Sequence, residues 1–248
     1  MRLLILGGTT EASALARRIA GMPGLDPTLS FAGRTRSPAV PPIPFRVGGF
    51  GGIAGLKTYL IEAKVDAVIN ATHQFAAQMS RNAAAACRDL ALPLVRLIRP
   101  AWSKQEGDRW TGVPTMEAAV RALGESVRRV FLTIGGLQLA VFAAAPQHHY
   151  IVRTIDPPDA IGSLPSHRLI LARGPFSVTD EISLMSEEGI QVLVSKNSGG
   201  AAMGGKIAAD RTLGVEVIMV ERPPTVDVPS SGSIDVILAW IENHCAAP

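Results

Sequence analysis

Short apolar runs alternate along the chain with longer stretches in which apolar residues recur at helical spacing. The short runs are typical of strands buried on both faces, and the longer stretches are typical of helices with one buried side. The predicted strands are Leu3–Leu6, Leu29–Ala32, Ala67–Asn70, Leu94–Ile98, Val130–Thr133, His149–Arg153, Arg168–Ala172, Gln191–Ser195 and Glu216–Val220. The predicted helices are Glu11–Ala20, Ile53–Glu62, Phe75–Leu90, Met116–Leu123, Gln138–Ala143, Val178–Glu188, Ala202–Leu213 and Ser233–His244. Such alternation predicts an α/β fold with parallel sheets.

A polar, turn-rich segment at residues 99–115 separates two α/β series. We place the boundary near Gly112, which predicts domains at residues 1–112 and 113–248. Each half contains a β-rich run that leads into a glycine pair and a helix, LILGGT in the first half and FLTIGG in the second. This repetition predicts two Rossmann-like domains whose parallel sheets face a central cleft, where the ligands would bind.

The composition fits an ordered globular protein, with 248 residues, 47% of them apolar, and a formal net charge of +3. No apolar run reaches the roughly 18 residues of a membrane span, so a cytoplasmic protein is expected. Aromatic residues make up only 5% and do not interleave with basic residues, which argues against a nucleic-acid partner. The two cysteines lack metal-ligand spacing, so no metal site is predicted. Arginines near predicted strand ends instead favour a small acidic ligand.

The first predicted strand ends in Gly7, Gly8 and Thr9, and a helix follows at once. A strand that turns into a helix through small residues directs backbone N–H groups and the positive helix end at a phosphate. These residues are therefore candidates for binding a dinucleotide, although the full three-glycine pattern is absent. A plain βα turn without a ligand is the alternative.

The second predicted strand leads into Arg34, Thr35 and Arg36. At this position a Rossmann unit carries either an acidic residue for the ribose of NAD or an arginine for the 2′-phosphate of NADP. No acidic residue occurs here, which favours NADP(H). A solvent-exposed basic loop is the alternative.

The third strand delivers Thr72 and His73 into the next loop, within NATHQFA. Loops at strand ends carry function in α/β proteins, and a histidine there can donate to a carbonyl or carboxylate or titrate near neutral pH. Alternatively, His73 only caps the helix that follows.

A later strand ends in Lys196, Asn197 and Ser198, followed by a glycine pair and a helix that contains Lys206. Polar side chains, backbone N–H groups and a cation at one strand end suit an anion or the ribose and amide groups of a cofactor. A surface loop without a ligand is the alternative.

In this order, the segments resemble the precorrin-6A reductase family of cobalamin biosynthesis, which includes cobalt-precorrin-6A reductases. The matching segments are LILGGTTEA, NATHQFA, RLIRPAW, IVRTIDPP, RGPF, SKNSGG and the run KIAADRTLGVEVIMVERP, which together span nearly the whole chain. One departure is Gln74, where the family usually has proline. The loop after His73 is therefore expected to be less rigid.

The resemblance implies an oxidoreductase that uses NADPH to reduce a double bond of precorrin-6A, a polycarboxylated tetrapyrrole, giving precorrin-6B. The residues it assigns to the cofactor are Gly7, Gly8, Thr9, Arg34, Thr35, Arg36, Thr72, Asn197 and Ser198. Those expected to bind the substrate are Arg99, Arg153 and Lys206. The expected catalytic residues are His73 and Lys196.

Other functions remain to be compared with this one. The substrate could already contain cobalt, or the protein could be a non-enzymatic NADP sensor without a site for an acidic ligand. A reductase or epimerase of the extended short-chain type would need Tyr-x-x-x-Lys, but Tyr59 and Tyr150 are followed at that spacing by Ala63 and Thr154. A monomer or a small homo-oligomer is expected.

Overall fold

A computed structural model describes residues 1–33, 40–200 and 204–245. The chain divides into two units, each built on its own six-stranded sheet. Unit 1 contains Met1–Pro100 together with Pro223–Pro248, and unit 2 contains Ala101–Arg222. The α/β fold with two parallel sheets is thus confirmed, whereas the facing cleft stays a prediction.

Unit 1 has a fully parallel sheet with the strand order β12-β5-β4-β1-β2-β3. Its strands are β1 (Arg2–Leu6), β2 (Asp26–Phe31), β3 (Phe45–Val47), β4 (Ala67–Asn70), β5 (Leu94–Leu97) and β12 (Ser230–Ser231). Its helices are α1 (Thr10–Ile19), α2 (Gly52–Glu62), α3 (Ala77–Asp89) and α7 (Ile234–Cys245). Because β2 and β4 lie on opposite sides of β1, the strand order reverses next to β1, where α/β sheets bind ligands.

The apolar run of β1 has buried side chains on both faces of this sheet. Leu3 and Ile5 belong to a core with α1 and α7, whereas Leu4 and Leu6 belong to a core with α2 and α3. Burial on both faces explains why the strand is apolar throughout rather than alternating.

Unit 2 has a second fully parallel sheet with the order β6-β11-β10-β7-β8-β9. Its strands are β6 (Arg109–Val113), β7 (Arg129–Leu132), β8 (His149–Thr154), β9 (His167–Leu171), β10 (Val192–Lys196) and β11 (Glu216–Val220). Its α-helices are α4 (Met116–Ala122), α5 (Val178–Glu187) and α6 (Gly205–Leu213), and two 3₁₀ helices cover Gly136–Ala144 and Asp159–Ser163. The helix predicted over Gln138–Ala143 is therefore present, but with 3₁₀ geometry.

The faces of this second sheet also have separate cores. Phe131 and Leu193 pack with Met185 of α5 and Ile207 of α6 on one face. Tyr150 points to the other face, where its hydroxyl donates to Ala145 O at 2.7 Å. Burial of this phenol raises its pKa. Its ring also packs edge-on against Phe142.

The structural division differs from the boundary predicted at 112/113 in two places. The segment 109–113 is strand β6, which pairs with β11 in unit 2. The last helix, α7, packs in unit 1, and β12 before it pairs with β5. The helix α7 was assigned to the second half because an amphipathic pattern does not specify which sheet a helix covers. The strand β6 was missed because its sequence combines polar residues with a glycine, which is typical of a turn.

In the part of the chain that the structure describes, no helix is both long and apolar enough to cross a membrane.

Candidate functional site

The turn between β1 and α1 is open at Gly8. Gly8 has φ +115°, and a Cβ atom built on it would meet nothing within 4 Å. A Cβ atom on Gly7 would instead lie 2.6 Å from Leu29 Cδ1, so Gly7 lets the turn pack onto β2. The first N–H groups of a helix have no partner within the helix, and those of α1 follow this turn. The geometry of this turn therefore fits a pyrophosphate that accepts hydrogen bonds from backbone N–H groups at the start of α1.

Two of the groups predicted to hold the pyrophosphate have other partners. The N–H of Gly7 donates to Ser30 O at 2.9 Å. The Thr9 hydroxyl accepts from the N–H of Ala12 and donates to Ala71 O at 2.8 Å, which makes Thr9 the N-cap of α1. This leaves the N–H groups of Thr10 and Glu11, at the start of α1, as the donors suited to a phosphate.

Thr72 and His73 lie in the loop after β4, next to this turn. The Asn70 carboxamide fixes the loop, because its Oδ1 accepts from both the N–H and the hydroxyl of Thr72. The Nδ1 atom of His73 accepts from the N–H of Phe75 at 3.2 Å, so a neutral ring carries its proton on Nε2. Since Thr9 bonds to Ala71, the structure brings the predicted residues of both loops together.

Gln74 and Asn70 were not predicted as site residues. Gln74 is buried, and its Oε1 atom has no hydrogen-bond partner within the described residues. Asn70 is buried and donates to the Ser80 hydroxyl, which links the loop to α3. The NATH motif contained the signal for Asn70, since asparagine at a strand end commonly hydrogen-bonds the backbone two residues on.

The predicted 2′-phosphate site follows β2. Arg34, Thr35 and Arg36 lie outside the described residues, so their role stays a prediction. β2 ends at Phe31, and its neighbour on the outer side is β3.

Arg46 of β3 organises the adjacent glycine-rich loop, which the sequence reasoning missed. Its guanidinium donates to the Ser30 hydroxyl and to the carbonyl oxygens of Gly48 and Gly49. It also lies over the Phe50 ring, 4.1 Å from the centroid. Arg46 therefore fixes the loop between β3 and α2 beside the end of β2.

Arg99 lies at the first turn of α1, within unit 1. Its Nη2 atom is 3.5 Å from Glu11 Oε2, and its side chain is only 8% exposed. A carboxylate in the first turn is favourable against the helix dipole. Arg99 is thus placed at the predicted dinucleotide turn rather than in unit 2 with the other predicted substrate residues.

In unit 2, the SKNSGG segment forms a tightly bonded turn after β10. The Asn197 side chain accepts from the N–H of Trp102 and donates to Trp102 O, so it pairs with that backbone as another peptide group would. Arg222 donates to the carbonyl oxygens of Asn197 and Ser198. The hydrogen bonds of the Asn197 side chain therefore stabilise the turn itself. Lys196 is the last residue of β10 and is half-buried.

Lys206 reaches the same end of the second sheet from α6. Its ammonium donates to the Thr133 hydroxyl at 3.2 Å, directly after β7, and lies 5.4 Å from the ring centroid of Trp102. The structure thus brings Lys206 together with the turn that contains Asn197.

Arg153 does not have the position expected of a substrate ligand. Both of its terminal nitrogens donate to the Glu181 carboxylate, at 3.0 and 2.7 Å, and the two side chains are 8% and 2% exposed. The guanidinium also lies over Phe176, 3.8 Å from the ring centroid. Its charge is neutralised in a buried bidentate pair between β8 and α5, which favours a structural role.

Asp108 and Asp210 are further buried carboxylates of unit 2 that the sequence reasoning missed. Asp108 pairs with Arg211 at 2.8 Å. Asp210 is 1% exposed, and burial raises its pKa to about 8. Asp108 lies in the turn-rich segment 99–115 and Asp210 in the family-matching run KIAADRTLGVEVIMVERP, but only the fold shows that both carboxylates are buried.

Comparison with known proteins gives a match over nearly the whole chain. The family model described as "Precorrin-6x reductase CbiJ/CobK" matches residues 2–242. A protein of Rhodobacter capsulatus named precorrin-6A reductase is 47% identical over 247 residues, covering 100% of this chain and 98% of the relative. A cobalt-precorrin-6A reductase of Priestia megaterium is 28% identical over 235 residues, covering 89% of this chain and 90% of the relative.

A solved structure described as CobK precorrin-6A reductase superposes with a TM-score of 0.94 at 47% sequence identity, covering 100% of this chain and 98% of that chain. The family model, the relatives and the fold agree along the full length. The chain therefore belongs to the precorrin-6x reductase CbiJ/CobK family.

Proposed function

We propose that this protein reduces a double bond of precorrin-6A with NADPH, giving precorrin-6B, as a step of cobalamin biosynthesis. The observation that carries this proposal is the 47% identity, over the whole chain, to a relative named precorrin-6A reductase. Membership of a reductase family implies a nicotinamide cofactor, and NADPH is the choice favoured by the basic segment at residues 34–36. A cytoplasmic location and a monomer or small homo-oligomer remain predictions.

The substrate proposed is free of cobalt. Relatives named precorrin-6A reductase reach 49% identity, whereas those named cobalt-precorrin-6A reductase reach 28%. The cobalt-loaded substrate is accordingly the alternative to be tested against it.

In unit 1 the residues bind and orient the cofactor, which supplies the hydride. The first N–H groups of α1 bind the pyrophosphate across the space at Gly8. Thr9 holds α1 to the loop that contains Thr72 and His73, so the phosphate and nicotinamide sites keep a fixed separation. Thr72 and His73 border the nicotinamide, with the His73 proton on Nε2.

In unit 2 the residues provide positive charge for the carboxylates of the substrate. Lys196 and Lys206 lie at the carboxyl end of the second sheet, and the bonded turn at Asn197 and Ser198 keeps that end rigid. The proton that completes the reduction would come from solvent, and catalysis would rest on binding and orienting the cofactor and the substrate and on excluding water.

The proposal is tested by adding NADPH to the protein with metal-free precorrin-6A and following the visible spectrum of the tetrapyrrole. We expect the substrate band to change with one NADPH consumed per macrocycle, and a slower reaction with NADH. If the protein reduced only the cobalt-loaded form, that form rather than metal-free precorrin-6A would be its substrate. NADPH binding without turnover of either would favour an NADP sensor.

Arg34→Ala tests the cofactor choice. The variant should weaken binding of NADPH by about 1.5–3 kcal/mol, because it removes a charge-assisted contact to the 2′-phosphate, and should leave NADH binding nearly unchanged. Titration calorimetry of both cofactors measures the difference. Arg17→Ala, on the exposed side of α1, is the matched control. An equal loss for both cofactors would show that Arg34 does not bind the 2′-phosphate.

A further inference from the structure

Asp210 is a buried carboxyl group that the proposed chemistry leaves unused. It is 1% exposed on α6, and neither of its carboxylate oxygens has a hydrogen-bond partner within the described residues. Buried polar groups are normally bonded, so an unpartnered carboxyl needs a physical reason. Lys206 precedes it by four residues on the same helix, a spacing that places both side chains on one helix face.

Charged groups from three elements act on Asp210. Lys206 of α6 favours its ionised form, whereas Glu181 of α5 and Asp108, which precedes β6, oppose it. Glu181 is paired with Arg153, and Asp108 with Arg211. Burial is the largest effect and acts in the same direction as these two carboxylates, so together they outweigh Lys206 and raise the pKa of Asp210 to about 8, and its carboxyl is mostly protonated at neutral pH.

Lys206 connects this buried group to the end of the sheet. Its ammonium donates to Thr133 directly after β7, and Asp210 follows about one helical turn later on α6. Both residues are buried, and charges are weakly screened away from water, so a change of charge on Asp210 acts on Lys206.

We propose that Asp210 is a positioning residue that controls, through Lys206, how strongly the protein binds a carboxylate of the tetrapyrrole. The inference rests on the proposed function and adds the group that regulates its substrate site. Protonated Asp210 adds no negative charge beside Lys206, so the ammonium attracts the substrate at full strength. Ionised Asp210 draws the ammonium towards itself and opposes the incoming carboxylate.

The sign of the pH effect follows directly. Below about pH 8 Asp210 is neutral, and binding is strong. As the pH rises through this value the carboxyl loses its proton, and the KM for precorrin-6A should rise. The KM should change more than kcat, because the effect lies in binding.

The experiment measures kcat and the KM for precorrin-6A from about pH 6.5 to pH 9 at saturating NADPH, on either side of the pKa of about 8. For the wild type we expect the KM to rise several-fold across this range. Asp210→Asn mimics the neutral carboxyl, so its KM should stay low and nearly constant. Asp159→Asn removes an exposed carboxylate of the same unit and should behave as the wild type.

A second variant keeps the test decisive if Asp210→Asn does not fold. Lys206→Gln should raise the KM at neutral pH and abolish its pH dependence. The inference is overturned if either variant retains the wild-type KM profile, or if the effect falls on the Kd for NADPH. Absence of turnover by the wild type would instead overturn the proposed function, and the inference with it.

Discussion

At the residue scale, Thr9 shows how a predicted ligand group can serve the scaffold of its site. Its hydroxyl satisfies the N–H of Ala12 and a carbonyl oxygen in the next loop, both within the buried turn. The same residue type would have bound a phosphate if those groups had other partners. Only the structure distinguishes the two roles, because both place a threonine at a helix N-terminus.

Thr9→Val should lower the free energy of unfolding by about 1–3 kcal/mol, because it leaves one buried donor and one buried acceptor without partners. Thr9→Ser keeps the hydroxyl and is the matched control, with most of the wild-type stability. Urea denaturation followed by circular dichroism measures both. Unchanged stability of Thr9→Val would show that the two hydrogen bonds of the hydroxyl contribute nothing net.

At the element scale, the Arg153–Glu181 pair joins β8 to α5. The pair is almost fully buried, so each charge depends on the other for its solvation. The IVRTIDPP motif made Arg153 a candidate for substrate binding. The partner lies 28 residues away in another element, beyond the reach of local spacing.

Glu181→Gln should destabilise the protein by about 3–5 kcal/mol, because it leaves the Arg153 guanidinium buried without a compensating charge. Glu187→Gln changes an exposed carboxylate of the same helix and should have little effect. Thermal and urea unfolding of both variants test the difference. Similar stability for Glu181→Gln and the wild type would show that the pair contributes nothing net.

The elements that could be predicted are those with a strong apolar pattern. The buried strands β1, β4, β7 and β10 were predicted within about one residue, because both of their faces are covered. The edge strands β3, β6 and β12 were missed, since short, half-exposed strands lack an apolar run. In the candidate site the loops at strand ends could be found from sequence. The partners of each side chain could not, because they come from distant segments.

At the scale of the whole molecule, unit 2 is a continuous segment set between the two parts of unit 1. One face of its sheet packs against its own helices α5 and α6, and Tyr150 on the other face packs against Phe142 of its own 3₁₀ helix, so these core contacts come from within residues 101–222. Unit 1 differs, because Ile237 and Ile241 of α7 complete one of its cores.

The fragment 101–222 should therefore fold alone, with α/β circular dichroism and one cooperative thermal transition. The fragment 1–100 is the control and should aggregate, because the face that α7 covers would expose apolar side chains. A fragment 101–222 without a cooperative transition would contradict this independence.

The return of the chain to unit 1 also sets an order of events on the ribosome. Residues 1–100 emerge before residues 223–245, so their sheet lacks the edge strand β12 and the covering helix α7 until that later segment has been translated. Unit 2 is fully translated before that segment, so it can fold while residues 1–100 are still without their last strand and helix. During this interval residues 1–100 expose the apolar face that α7 later covers, and this face is a binding site for a chaperone on the nascent protein.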